Sequence, residues 1–110
     1  MANIIFQKSI NEQGQITSLE IGGSLVLENS EQFKKEILGL IDILDKQVKI
    51  TVSNVEEIDL SCIQLFIAFI KQMDEDRVVY QLIWNLDEDQ KMLMENVGLS
   101  NELYMNNLYV

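Results

Sequence analysis

Residues 4–10 are rich in β-favouring types, Asn11-Glu12-Gln13-Gly14 supplies turn chemistry, and residues 16–21 resume a strand pattern with Leu19 and Ile21 on one face. An antiparallel hairpin is predicted. Gly22-Gly23 permits a sharp bend or bulge, after which Ser24-Leu25-Val26-Leu27 reads as a short third strand. Asn29 and Gln32 have capping-box spacing, and Phe33, Ile37, Leu40, Ile41 and Leu44 recur on one helical stripe. Lys34, Lys35, Glu36 and Asp42 occupy the other side, so this helix covers a sheet with one face and meets water with the rest.

Val48, Ile50 and Val52 alternate with Lys49, Thr51 and Ser53, the period of a strand with one buried face; Ser53-Asn54 is expected to end it. The connector 55–59 is short and acidic, and places the next helix near the C-terminal end of that strand, where open α/β sheets carry their sites. Residues 60–73 then form a helix whose apolar residues, from Leu65 and Phe69 through Cys62, Met73, Phe66, Ile70 and Ile63 to Ile67, span an arc of about 200°. Such an arc is either wedged between sheet and neighbouring helices or left partly open to a partner.

Residues 78–84 are mostly apolar and read as a central strand, reached by a parallel crossover. Asp87 with Gln90 again has capping-box spacing; Met92, Leu93 and Val97 are assigned to the inner face of a third helix, and Gly98 to its C′ position. Residues 99–109 form a last short helix or irregular tail. The predicted class is α/β, in the order βββαβαβα with a helical tail, and the chain of 110 residues suits one domain, 1–110, that buries roughly 65% of its unfolded surface.

Charge narrows the partners. Eight basic against eighteen acidic residues leave a net charge of −10, which repels phosphate backbones and anionic lipid, so no nucleic acid is expected. The near-apolar run at residues 62–70 is far shorter than the ~20 residues that span a bilayer, and no membrane insertion is expected. The first residues lack the basic start and apolar core of a signal peptide, and Cys62 is the single cysteine, so the expected location is cytoplasmic.

Histidine is absent, which removes Ser-His-Asp and Cys-His catalysis and most zinc sites, and no glycine-rich phosphate loop is present. The expectation is no enzyme, no metal and no cofactor. The acidic groups Glu56, Glu57, Asp59 and Asp74, Glu75, Asp76 lack the calcium-loop pattern and read as solvated. Ser61 lies at a helix start, where it suits a cap in Ser61-Cys62-Ile63-Gln64, with Asp59 as the competing cap; the alternative is a phosphate acceptor. Cys62, on the apolar arc, reads as a buried thiol.

Three stretches in this order resemble the STAS family, shared by bacterial anti-sigma factor antagonists and the cytoplasmic tails of sulfate transporters. They are Leu19-Glu20-Ile21-Gly22-Gly23-Ser24-Leu25, then Ile58-Asp59-Leu60-Ser61-Cys62-Ile63-Gln64-Leu65, and finally residues 84–87 followed by Leu93-Met94-Glu95-Asn96-Val97-Gly98-Leu99. The resemblance implies a mixed sheet with helices mainly on one face and a non-catalytic signalling role. It also implies that the second helix and its leading turn dock onto a partner, here through Asp59, Leu60, Ser61, Cys62 and Leu65. In the antagonist branch the partner is an anti-sigma factor that is also a serine kinase; in others it is a chemotaxis, stress-signalling or lipid-transport assembly. The antagonists place the acceptor serine directly after the Asp. Here that position holds Leu60, and Ser61 matches the second hydroxyl. Three readings stay open: a fixed docking module, an antagonist switched by phosphorylation of Ser61, and a binder of a small nucleotide or metabolite at the sheet's end.

Overall fold

A computed structural model describes residues 3–96. The chain runs β1 (Ile4–Ile10), β2 (Ile16–Leu25), α1 (Leu27–Leu40), a 3₁₀ turn (Ile41–Ile43), β3 (Leu44–Ile58), α2 (Leu60–Glu75), β4 (Val79–Trp84) and α3 (Glu88–Asn96). The four strands form one sheet in the order β1-β2-β3-β4. The β1–β2 pair is an antiparallel hairpin, as expected, and the β2–β3 and β3–β4 pairs are parallel. This is the α/β class with a mixed sheet.

Register explains which face is covered. Leu19 pairs with Ile50 and Ile21 with Val52, while Val48, Ile50 and Val52 pair with Tyr80, Leu82 and Trp84; all are buried. Their alternates Lys49, Thr51 and Gln81 stay partly or fully exposed, so this side of the sheet is polar. Buried residues of α1 and α2 close the apolar side. Phe6 of β1, Phe33 of α1, Phe66 of α2 and Trp84 of β4 form a continuous run of ring contacts, with centroids 6.0, 4.9 and 5.4 Å apart.

Several elements differ from the sequence reading. Of the expected third strand, Ser24-Leu25 is the end of β2, which passes through both glycines, whereas Val26 and Leu27 open the first helix. Gly23 takes the left-handed conformation at φ 79, and the β2–β3 ladder shifts register around it, so the glycines make the expected bulge without ending the strand. At Gly22 a Cβ would collide with the Ser53 carbonyl oxygen, which shows how closely the two backbones approach. Strand β3 likewise continues past Ser53-Asn54 to Ile58, because Asn54 absorbs an irregularity at φ 53. The acidic connector is therefore strand as far as Ile58, with Asp59 alone left between β3 and the next helix.

Helix α1 begins two residues before the expected cap. Val26 is its extended N-cap with no side-chain bond of its own, and the Asn29 amide instead donates to the Ser24 carbonyl at 2.8 Å. Helix α2 matches its predicted start, and it closes with Arg77 left-handed at φ 59 and Val78 N–H donating to the Met73 carbonyl at 3.0 Å, a Schellman end. Tyr80 Oη donates to Asp74 Oδ1 at 2.8 Å, fastening that end of α2 to β4.

Among the described residues strand β4 lies at the edge of the sheet, not at its centre. It pairs β3 alone among the described residues, and Val79 is exposed; its apolar composition serves one buried face, with Tyr80, Leu82 and Trp84 inward. The capping box of α3 is present: Gln90 N–H donates to Asp87 Oδ1 at 2.8 Å and Asp87 N–H to Gln90 Oε1 at 3.2 Å. Its inner face holds Gln90 and Met94, with Leu93 half-buried, whereas Met92 points to solvent. Gln90 explains the rotation, since its Nε2 reaches the Val55 carbonyl at 3.0 Å and anchors α3 to β3. The assignments of Val97, Gly98 and the tail 99–109 lie outside the described residues.

Candidate functional site

β2 and β3 are parallel neighbours that end together, with Leu25 paired to Ile58. The chain leaves each strand directly into a helix, so the N-termini of α1 and α2 emerge side by side. Asp59 sits between them. Its backbone N–H donates to the Leu25 carbonyl at 3.0 Å, continuing the ladder one step beyond the strand.

The Asp59 carboxylate serves both helices. Oδ1 accepts the Ser61 backbone N–H at 3.1 Å and the Ser61 hydroxyl, and Oδ2 accepts the Leu27 backbone N–H at 2.9 Å. Each helix leaves its first N–H groups without intrahelical partners, and one anion satisfies donors from two of them. The competition between caps is settled for Asp59. Ser61 is a donor to that cap, because an ionised carboxylate accepts at two oxygens while the hydroxyl, already inside the first turn, lies beyond the capping position.

The electrostatics agree. Burial by itself would raise the Asp59 pKa, but the Ser61 hydroxyl and the backbone N–H groups of Leu27, Cys62 and Ser61 outweigh it and hold the carboxyl below its ordinary value. Cys62 is fully buried with its thiol against the Val26 carbonyl at 3.7 Å; burial, with the Asp59 charge second, pushes its pKa up to about 11. That thiol is neutral and inert at physiological pH.

The five residues singled out from the sequence occupy different depths. Leu60 is 49% exposed, Asp59 and Ser61 are half-buried, and Cys62 lies beneath them in the core. Leu65 is half-buried one turn further along, where it lines a groove of about 360 Å³ between α1 and α2 with Ile37, Leu38, Ile41 and Phe69. Most of the wide arc of α2 is core: Cys62, Ile63, Phe66, Phe69, Ile70 and Met73 are buried, and only its margins at Leu65 and Ile67 are partly open.

Leu27 was not foreseen. It is 67% exposed and its backbone N–H is held by Asp59, while Leu60, 49% exposed, follows Asp59 in the chain, so an exposed leucine opens each of the two helices. No local signal announces this, because the bond joins residues 32 positions apart. Glu28, Glu56 and Glu57 are exposed close by in sequence, leaving an acidic surround. Among the described residues no group of three or more Asp, Glu, Cys or His side chains is arranged to hold a metal ion, and no helix is long and apolar enough to cross a membrane. A separate cavity of about 490 Å³ lies where β3 and β4 begin, lined by Thr17, Gln47, Lys49, Val79, Tyr80 and Gln81.

The comparisons with known proteins agree with this architecture. The family model described as STAS domain matches residues 7–109. Among solved structures, the Bacillus cell fate determinant SpoIIAA in its phosphorylated form is similar with a TM-score of 0.63 and 13% sequence identity, over 96% of this chain and 89% of that one. No curated protein matches in sequence.

Proposed function

The chain belongs to the STAS domain family, and on that premise we propose that its 110 residues act as one cytoplasmic, non-catalytic regulatory module that docks a protein partner at the N-terminal ends of α1 and α2. The docking surface comprises Asp59, Leu60, Ser61 and Leu65, with Cys62 supporting it from below. The observation that carries this reading is the exposure of Leu60 at 49% and Leu27 at 67% at the first positions of the two helices that the Asp59 carboxylate caps. Exposed leucines at a rigid, capped corner cost the free protein apolar hydration and gain it back on burial in an interface. The acidic surround favours a partner that is basic around an apolar centre. An anti-sigma factor of the serine-kinase type fits the family; another signalling or transport assembly is the alternative.

Co-purification from the native host tests the surface. Wild-type protein is expected to retain a partner that Leu60→Ser and Leu65→Glu both lose while remaining folded. Retention of the same partner by both variants overturns it.

A second reading makes Ser61 a phosphate acceptor in an antagonist of the switched kind. Its support is that the Ser61 hydroxyl is only half-buried, and that SpoIIAA, of the same fold, is known in a phosphorylated form. Incubation with ATP and an anti-sigma serine kinase from the native host decides it, by a phosphate mass shift at Ser61 or its absence.

A further inference from the structure

The starts of the two docking helices share one capping side chain. Asp59 Oδ2 holds the first N–H of α1 while Oδ1 holds the Ser61 hydroxyl and N–H in α2. Val26, the N-cap of α1, supplies no side-chain bond. The start of α1 therefore depends on a cap borrowed from a residue that belongs to α2. We propose that Asp59 is a regulatory link: a negative charge placed at Ser61 in α2 is passed through the Asp59 carboxylate to Leu27 at the start of α1. This rests on the reading of this corner as the docking surface, and it names how that surface is regulated.

The direction follows from the bonds. A negative group on Ser61 cannot donate to Asp59 and repels it, and it also competes for the N–H groups at the start of α2. Asp59 then turns from Oδ1's partners, and Oδ2 cannot stay on Leu27 at 2.9 Å while the carboxylate rotates about the same bond. The first turn of α1 loses its cap, and Leu27 moves with it. Removing the hydroxyl alone has a different effect, because the carboxylate keeps both backbone donors. An amide in place of the carboxylate is different again: in Asp59→Asn the side chain keeps one accepting oxygen, and its NH₂ faces one helix's donor.

Amide-resolved NMR of the full chain tests the link without any partner. In the wild type, the amide protons of Leu27 and Ser61 are expected to shift with one common midpoint as Asp59 is protonated. Asp59→Asn abolishes both shifts, which separates Asp59 from Glu28, Glu57 and the neutral Cys62 thiol nearby. Ser61→Glu raises amide exchange at Leu27 by about tenfold or more, the loss of one charge-assisted hydrogen bond, whereas Ser61→Ala leaves it nearly unchanged. A Leu27 amide that ignores the Asp59 titration in the wild type overturns the link, as does a folded Ser61→Glu protein with unchanged exchange there. The docking surface stands or falls separately, on partner loss in Leu60→Ser and Leu65→Glu.

Discussion

Phe33 of α1 and Phe66 of α2 meet with ring centroids 4.9 Å apart and planes tilted by 60°. This pair is the centre of the aromatic run from β1 to β4, since Phe33 also touches Phe6 and Phe66 also touches Trp84. Both rings are almost completely buried. Phe66→Ala is expected to destabilise the protein by about 3–5 kcal/mol, and Phe66→Leu by markedly less, as measured by urea unfolding. A loss below about 1 kcal/mol for the alanine variant contradicts the packing described.

Asp59 ties stability to acid. Its folded pKa is lowered, so its contribution is fully present above the ordinary Asp value of 3.8 and is lost as pH falls through the folded value. Asp59→Asn is expected to cost about 1–2 kcal/mol near neutral pH, and the difference from wild type narrows as pH falls below 3.8. Thermal melts of both proteins across that range decide the matter; a constant difference at all pH values contradicts it.

Cys62 gives a chemical probe of native packing. With its thiol buried and its pKa raised to about 11, reaction with a thiol reagent at about pH 8 is expected only through opening of the fold. Labelling followed by mass spectrometry should be slow in buffer and fast in urea. Immediate labelling of the folded protein places the thiol elsewhere.

Gly22 sets the spacing of β2 and β3. Gly22→Ala sets a Cβ against the Ser53 carbonyl oxygen, a backbone atom that cannot move without disturbing the ladder. The expected cost is about 2–4 kcal/mol, far above the usual effect of a glycine-to-alanine change in a strand. Gly14→Ala has open space around it but retains a φ of 79, so it suffers backbone strain alone and serves as a milder comparison.

How much of this was legible depends on whether the signal was local. The alternation at Val48, Ile50 and Val52 and the stripe of α2 announced themselves, because period and burial coincide there. The Asp87–Gln90 box was readable for the same reason: both partners lie within one turn. What failed was punctuation. Gly22-Gly23 and Ser53-Asn54 look like strand ends, yet each is an irregularity inside a longer strand, tolerated because its neighbour across the ladder shifts with it. The rotation of α3 was also hidden, since the side chain that sets it, Gln90, finds its partner 35 positions back. At the candidate site, Asp59, Leu60 and Ser61 were visible as a helix start. Leu27 was not, nor was Asp59's second duty, because the pairing of β2 with β3 brings them together.

Strand order also has a kinetic consequence. Among the described residues only β1 and β2 pair through a short turn; β2 with β3 and β3 with β4 each wait for a helix to be crossed. Closing those longer loops is paid in chain entropy before the parallel ladders return it. The hairpin can therefore form before the longer loops close, whereas the pairing of Ile21 with Val52 requires α1 to be crossed first. Conservative truncation there, as in Val52→Ala, is expected to slow refolding, whereas Met94→Ala on late-arriving α3 mainly hastens unfolding, a distinction that stopped-flow chevrons can read.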